Sequence, residues 1–206
     1  MLAAGNSKRM GSPKLLLPYK NESLISQVIQ QVKYSDLDNF IIVINAKVEG
    51  LLQEVQNHRV DHFVLHEESH LGMASSIKKG LAKIPDYVAG VMFLLGDQPG
   101  MTSGEINRVL AGYKEKKNVP ILQATYLGKP GHPVLFDRTI MPLLYEIEGD
   151  IGAKNILRQY KEKMKYIEME KEPIPDIDTI EDYRSVMEKE GTHESVNRST
   201  RYESRR

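Results

Sequence analysis

Apolar residues recur at intervals of three and four between Glu22 and Tyr34, at Leu24, Ile25, Val28, Ile29 and Val32. This spacing predicts an amphipathic helix with Asn21 as its cap. The same period returns at Met73, Ile77, Leu81 and Ile84, which places a second such helix directly after Gly72. Between these helices the pattern shortens. Residues 40–44 and 61–65 are brief apolar, β-branched runs suited to buried parallel strands, separated by a helix over 48–56. Residues 88–95 form the clearest strand, with Asp97 just beyond it. Thr102 followed by Glu105 reads as a capping box for a helix reaching about residue 117. Strands over 120–126 and 132–136, joined by the turn-rich Leu127-Gly128-Lys129-Pro130-Gly131, predict a hairpin and an antiparallel edge. Helices over 137–145 and 153–162, a strand over 165–169 and a helix starting at Thr179 complete the chain.

Strands alternating with helices indicate an α/β fold: a Rossmann-like three-layer α/β/α sandwich around a mostly parallel, mixed sheet. Residues 1–190 read as one domain. From 191 to 206 apolar residues almost vanish, so this polar tail is expected to be disordered.

Composition narrows the chemistry. The chain has 206 residues and a formal net charge of zero, so its overall balance favours neither nucleic acid nor a membrane surface. It contains no cysteine, which leaves only oxygen and nitrogen ligands for a metal. No leader-like or membrane-spanning apolar stretch is visible, and a cytoplasmic enzyme or binding protein is expected.

The opening fourteen residues, MLAAGNSKRMGSPK, combine small residues, two glycines and three cations. Backbone N–H groups and cations of this kind can close around phosphates, with Gly5 and Gly11 supplying positive φ and close approach. The stretch is not G-x-x-x-x-G-K-[ST], because Leu15 stands where a hydroxyl is needed, nor is it G-x-G-x-x-G. The apolar Leu15-Leu16-Leu17-Pro18-Tyr19 should anchor Lys14 on a fixed turn. From the residues alone, Arg9 and Lys14 are either phosphate ligands or surface cations. Asp97 is either a ligand-facing group at a strand end or a turn residue before Pro99-Gly100. Asn45 reads as a cap for the following helix, His66 and His70 as polar contacts to a base or ribose, and Asp176 and Asp178 as turn and capping residues.

The pattern L-A-A-G-x-S-x-R-M-G-x-x-K over residues 2–14 resembles the signature of the MobA-like nucleotidyltransferases. Gly72-Met73-x-x-Ser76, Asp97-Gln98-Pro99, Gly131-His132-Pro133-Val134-Leu135-Phe136, Gly149-Asp150-x-Gly152-Ala153 and Asp176-x-Asp178-Thr179 extend the likeness over roughly residues 2–187. As an ordered set they resemble the molybdenum cofactor cytidylyltransferase branch, which includes PucB-type proteins of purine catabolism. Members usually carry several apolar residues before L-A-A-G; here the chain begins at the motif, so a very short first strand or a start placed too late is expected.

The resemblance implies Mg²⁺-dependent transfer of CMP from CTP to the phosphate of molybdopterin or molybdenum cofactor, with release of pyrophosphate. It also implies service to a xanthine-dehydrogenase-type client. Leu2, Ala3 and Ala4 would lie along the base through their backbone. Gly5 and Ser7 belong to the same nucleotide loop, and Gly72, Met73 and Ser76 would meet the nucleotide from a helix N-terminus. Arg9 and Lys14 would hold the triphosphate as catalytic cations. Asp97 would hold the metal, Asp150 would be a second metal carboxylate or an acceptor contact, and His132 would border the acceptor. Transfer to another small phosphorylated acceptor, a non-catalytic cofactor carrier, and a dinucleotide-binding oxidoreductase are the alternatives.

Overall fold

The computed structural model describes residues 1–7, 9–116 and 118–188. The expected disorder of 191–206 therefore concerns residues outside this description. The chain opens with a two-residue strand, β1 (Leu2–Ala3), and a single 3-10 turn at Lys14–Leu16. A small antiparallel hairpin follows, β2 (Pro18–Tyr19) and β3 (Glu22–Ser23). Its turn residues Lys20 and Asn21 both have positive φ, at 47° and 67°, the sign required by a tight two-residue hairpin turn. Asn21 is therefore a turn residue, and the helix expected from residue 22 starts two residues later as α1 (Leu24–Lys33). Its cap is Ser23, whose side chain accepts from the Ser26 amide at 3.2 Å.

The next elements are β4 (Ile42–Asn45), α2 (Leu51–Asn57), β5 (Phe63–His66), α3 (Met73–Leu81), β6 (Gly90–Phe93) and α4 (Ser103–Glu115). The capping box of α4 is formed as expected, with Thr102 and Glu105 bonded reciprocally. β7 (Ile121–Tyr126) and β8 (Lys129–Asp137) make the expected hairpin. A 3-10 turn at Arg138–Ile140, the short α5 (Met141–Leu144), α6 (Lys154–Gln159) and β9 (Lys165–Glu168) follow, and 180–188 is helical.

Strands β5, β4 and β1 pair in parallel, and β6, β8, β7 and β9 form a second group in that order. Leu2 joins the two groups through a parallel bridge to Leu95. Its amide donates to the Leu94 carbonyl at 2.8 Å and its carbonyl accepts from Gly96 at 2.9 Å, while Val43 donates to the Met1 carbonyl at 3.0 Å. A strand of two residues thus sits in the middle of the mixed sheet, held from both sides. The hairpin is not at the edge, however. β8 runs antiparallel between β6 and β7, and β9 takes the outer position.

The reason lies in side-chain burial on both faces of these strands. Leu135 packs with Val109, Leu122 and Ala124 on one side, while Val134 and Phe136 pack with Ile77, Phe93 and Ile121 on the other. A strand apolar on both faces gains most when covered on both. Helices α1, α2 and α4 cover the first face and α3, α5 and α6 the second. The segments after β1, β4, β5 and β6 all leave the carboxyl edge of the sheet, where open α/β sheets hold ligands. Among the described residues, no helix is long and apolar enough to cross a membrane.

Candidate active site

The loop after β1 is folded by its own polar groups. Ser7 and Gly11 take positive φ, at 48° and 66°, whereas Gly5 does not; the sharp turn expected at Gly5 is made by Ser7. The Ser7 hydroxyl accepts from the Lys14 amide at 3.2 Å, and buried Leu15 anchors the 3-10 turn, so Lys14 stands on a fixed base as its apolar neighbours suggest. Asn6, which no sequence signal singled out, ties three loops together: its side-chain oxygen accepts from the Asn45 amide group and from the Ser69 hydroxyl, each at 2.9 Å. Asn45 is not a helix cap; its own oxygen accepts from the Lys47 amide, and Gly50 occupies the cap of α2.

The central charged group is Lys14, whose side chain is only 10% exposed. Its Nζ donates to Asp97 Oδ2 at 2.6 Å and to Asp178 Oδ1 at 2.9 Å, and Asp178 Oδ2 also accepts from the exposed Arg9 at 2.8 Å. Burial alone would lower the Lys14 pKa, but the two carboxylates outweigh it and the net shift is upward. The Lys14 hydrogen bond, aided by Arg9, holds Asp178 below the usual carboxylate range. Asp178 is therefore a member of the charged cluster, not merely a capping residue. The box at the start of the last helix belongs to Thr179 and Asp182. Two further bonds lace this segment to the loop after β6: Ile177 donates to the Asp97 carbonyl at 3.3 Å and Gln98 Nε2 to Asp176 Oδ1 at 2.7 Å.

The N-terminus of α3 forms the opposite wall. Gly72 has φ +93°, and a Cβ there would come within 2.6 Å of the Gly149 carbonyl, so the 149–150 loop lies directly over the helix start. The Asp150 carboxylate accepts from the Met73 amide at 3.0 Å and the Gly149 carbonyl from Ala74 at 3.0 Å. Asp150 thus satisfies a helix terminus, and the carboxylate that shares Lys14 with Asp97 is Asp178.

These walls enclose a cavity of ≈ 590 Å³, within the range of small-molecule sites. Leu2, Ala4, Gly5, Ser7, Arg9 and Lys14 line it from the first loop, Gly72, Met73 and Ser76 from α3, and Asp97, Asp150 and Asp178 from the remaining loops. Ala3 does not. It is 3% exposed and packs in the core under α1, because successive residues of a strand face opposite sides.

A family model for the MobA-like NTP transferase domain matches residues 1–164. The chain belongs to this family. Purine catabolism protein PucB of Bacillus subtilis (strain 168) is 29% identical over 194 residues, spanning 90% of this chain and 93% of that protein. Nicotine blue oxidoreductase of Paenarthrobacter nicotinovorans is 29% identical over 191 residues, spanning 88% and 91%. The crystal structure of Rv0371C from Mycobacterium tuberculosis in complex with manganese superposes with a TM-score of 0.75 at 25% identity, covering 91% of this chain and 95% of that one. The protein is a nucleotidyltransferase of MobA/PucB type, and its α/β fold is that of such enzymes.

A second cavity of ≈ 470 Å³ adjoins the nucleotidyltransferase loop, with Leu2, Met73 and Leu95 common to both. His132 lines this second cavity, as do Gln98 and Asp176. His132 Nδ1 meets the Phe93 carbonyl at 3.3 Å. A carbonyl only accepts, so Nδ1 carries the proton. Burial lowers the His132 pKa against the opposing pull of that carbonyl and of Asp176 and Asp97. His66 is buried against Ser75 at 2.7 Å rather than offered to a ligand, while His70 lines the first cavity.

Proposed function

We propose that this chain transfers CMP from CTP to the phosphate of molybdopterin or its molybdenum-loaded form and releases pyrophosphate. The observation that carries the reading is the Lys14 ammonium held between Asp97 and Asp178 at the floor of the first cavity. Arg9 and Lys14 supply fixed positive charge for a triphosphate. Leu2 and Ala4 flank the space beside Gly5, where a Cβ would meet nothing within 4 Å, so a base can approach the backbone there. Family membership, kinship with PucB and the loop sequence Leu2-Ala3-Ala4-Gly5 support the choice of CTP and of a molybdenum-cofactor acceptor.

The donor set fits a hard dication. Asp97 and Asp178 can supply two carboxylates, and no group of three His, Cys, Asp or Glu among the described residues forms a complete protein cage. Mg²⁺ characteristically takes one or two carboxylates and completes its shell with phosphates and water. The manganese complex of the Rv0371C protein supports divalent-metal use. Mg²⁺ here would neutralise phosphate charge and orient the α-phosphate.

The chain's own part is positioning and charge stabilisation. Lys14 and Arg9, released from the carboxylates by the incoming phosphates, stabilise charge on the departing pyrophosphate. Attack needs no general base, since a phosphate monoester is already an oxyanion at neutral pH, its second pKa being about 6. Incubating the purified protein with CTP, Mg²⁺ and molybdenum cofactor tests the reading. Stoichiometric pyrophosphate and a cytosine dinucleotide are expected; cofactor binding without pyrophosphate would instead make the chain a carrier, and product only with another phosphorylated compound would reassign the acceptor. Kinship with nicotine blue oxidoreductase calls for one more arm, with NADH or NADPH supplied. No oxidation is expected, because the loop lacks G-x-G-x-x-G.

A further inference from the structure

Between β9 and the last helix, residues 169–179 form neither helix nor strand. This strap runs along the loop that follows β6 and ends by delivering Asp178 to Lys14. The anchor at its start is Lys171. Its Nζ pairs with Glu105 Oε2 at 2.9 Å and donates to the Gly100 carbonyl at 3.3 Å, which joins the strap to α4 and to the Asp97 loop at once. Glu105 is itself fixed: its side chain is only 7% exposed, and the same oxygen accepts from the Thr102 amide and hydroxyl. An ion pair on a carboxylate so shielded is stronger than an exposed one. The neighbouring pair of Arg108 with Glu170 is exposed on both sides and adds little by comparison.

From this anchor the chain reads Glu172-Pro173-Ile174-Pro175-Asp176. Alternating prolines fix every second φ and hold the residue before each in an extended form, so the stretch is a stiff spacer. Ile174 lies over Gly100, where a Cβ would meet its Cγ2 at 3.4 Å, and Ile177 is fully buried. A stiff spacer passes the position of its fixed end to the other end, here Asp178. We propose that Lys171 is a positioning residue for nucleotidyl transfer: by pinning the strap to Glu105 and Gly100 it sets where Asp178 stands relative to Asp97, and so how tightly Mg²⁺ and CTP are held together. The proposal rests on the reading of Asp97 and Asp178 as carboxylates for a dication. Lys171 lines neither cavity, so it acts through the strap alone.

Two measurements on the full chain test this without turnover. One is the Mg²⁺ concentration at which CTP binding is half-maximal, followed by calorimetry with no acceptor present. The other is hydrogen exchange at the Ile177 amide, which donates to the Asp97 carbonyl. Lys171→Met should raise the Mg²⁺ requirement at least about threefold and speed the exchange at least about tenfold, as expected when an anchor is lost and the segment opens locally. Lys171→Arg should restore both to within about twofold, because Glu105 Oε1 has no partner and can complete a fork with the guanidinium. Lys171→Met leaves the buried Glu105 charge without its counterion, so Pro175→Gly is the second variant. Pro175 is exposed and lines neither cavity, and its replacement loosens the spacer with the anchor intact; a shift of about twofold or more in the same direction is expected. In an Asp178→Asn background, Lys171→Met should add less than about 1.5-fold to the Mg²⁺ requirement, since the effect passes through that carboxylate. An unchanged requirement in either variant, a full further shift in the Asp178→Asn background, or no rescue by Lys171→Arg overturns the inference. If Asp178→Asn alone leaves the requirement unchanged, or the unaltered protein does not bind CTP, the metal and nucleotide reading fails and this inference falls with it.

Discussion

Lys14 Nζ and Asp97 Oδ2 stand 2.6 Å apart across 83 residues of sequence, and Asp178 closes on the same ammonium from the far end of the fold. The Lys14 side chain is 10% exposed and that of Asp97 21%, so the pair is shielded from water more than a surface ion pair and interacts more strongly. Negative charge from two chain segments therefore converges on the place where a nucleotide's phosphates would require positive charge.

Asp97→Asn keeps the shape of this centre and removes its charge. Turnover should fall by at least about 100-fold, as expected when metal-assisted charge stabilisation worth several kcal/mol is lost. The fold should survive because Asp178 still pairs with Lys14. Steady-state kinetics at ordinary Mg²⁺ concentrations, with circular dichroism as the control, checks both parts; near-normal turnover would remove Asp97 from the mechanism.

Asp178 and Asp150 should separate in the same assay. Asp178→Asn is expected to raise the Mg²⁺ concentration needed for half-maximal rate by tenfold or more. Asp150→Asn should leave that requirement within about threefold and mainly lower the melting temperature, through a helix-terminus bond worth about 0.5–2 kcal/mol. Reversed effects would restore Asp150 as the second metal carboxylate.

Asn6→Ala removes the acceptor shared by Asn45 and Ser69. Each partly buried donor left unpaired costs about 1–3 kcal/mol, and the loop carrying Arg9 and Lys14 loses two of its attachments. A lower melting temperature together with a severalfold higher KM for nucleotide is expected. An unchanged KM would mean that the loop is positioned by its other bonds.

Base choice is a prediction about Ala4, which lines the first cavity while its side chain packs with Val43 and Val64. Related guanylyl-transferring proteins resemble this chain but carry L-A-G-G, so CTP should exceed GTP by at least tenfold in kcat/KM. Ala4→Gly should narrow the gap without reversing it, since one methyl discriminates by about 1–3 kcal/mol. Equal use of GTP by the unaltered protein would sink the cytidylyl assignment and leave the transferase family untouched.

Stability should depend on pH with a definite sign. Burial depresses the pKa of both His66 and His132 in the folded protein, so the unfolded chain takes up protons first as pH falls below about 6.5, and stability declines. Asp178, held low by Lys14, adds a further loss as pH falls through its own folded pKa, below the ordinary value of 3.8. Asp176, raised by desolvation and by Asp97 and Asp178 against the pull of Gln98, acts in the opposite direction. Calorimetric midpoints should fall as pH drops below about 6.5 and fall further in the carboxylate range; a midpoint that rises on acidification would contradict this balance.

Much of this arrangement was legible along the chain because its causes are local. Hydrophobic period is set by helix and strand geometry, so α1, α3, the buried strands and the capping box at Thr102 and Glu105 could be read directly. The anchored turn under Lys14 could be read as well. The L-A-A-G-x-S-x-R-M-G-x-x-K signature pointed to the family whose model matches residues 1–164. What stayed hidden depends on segments far apart in sequence. Nothing near Asp178 reveals that its carboxylate meets Lys14, and nothing near Asn6 reveals Asn45 and Ser69 as partners. The burial of β8 between β6 and β7 instead of at an edge depends on helices covering both faces. Sequence determined the elements and the chemical inventory, since periodicity and residue type are properties of short segments. Only the tertiary structure decided that Asp178 joins Asp97 on Lys14 while Asp150 goes to the α3 terminus, because pairing of charges depends on distance in space and the chain order carries no measure of that.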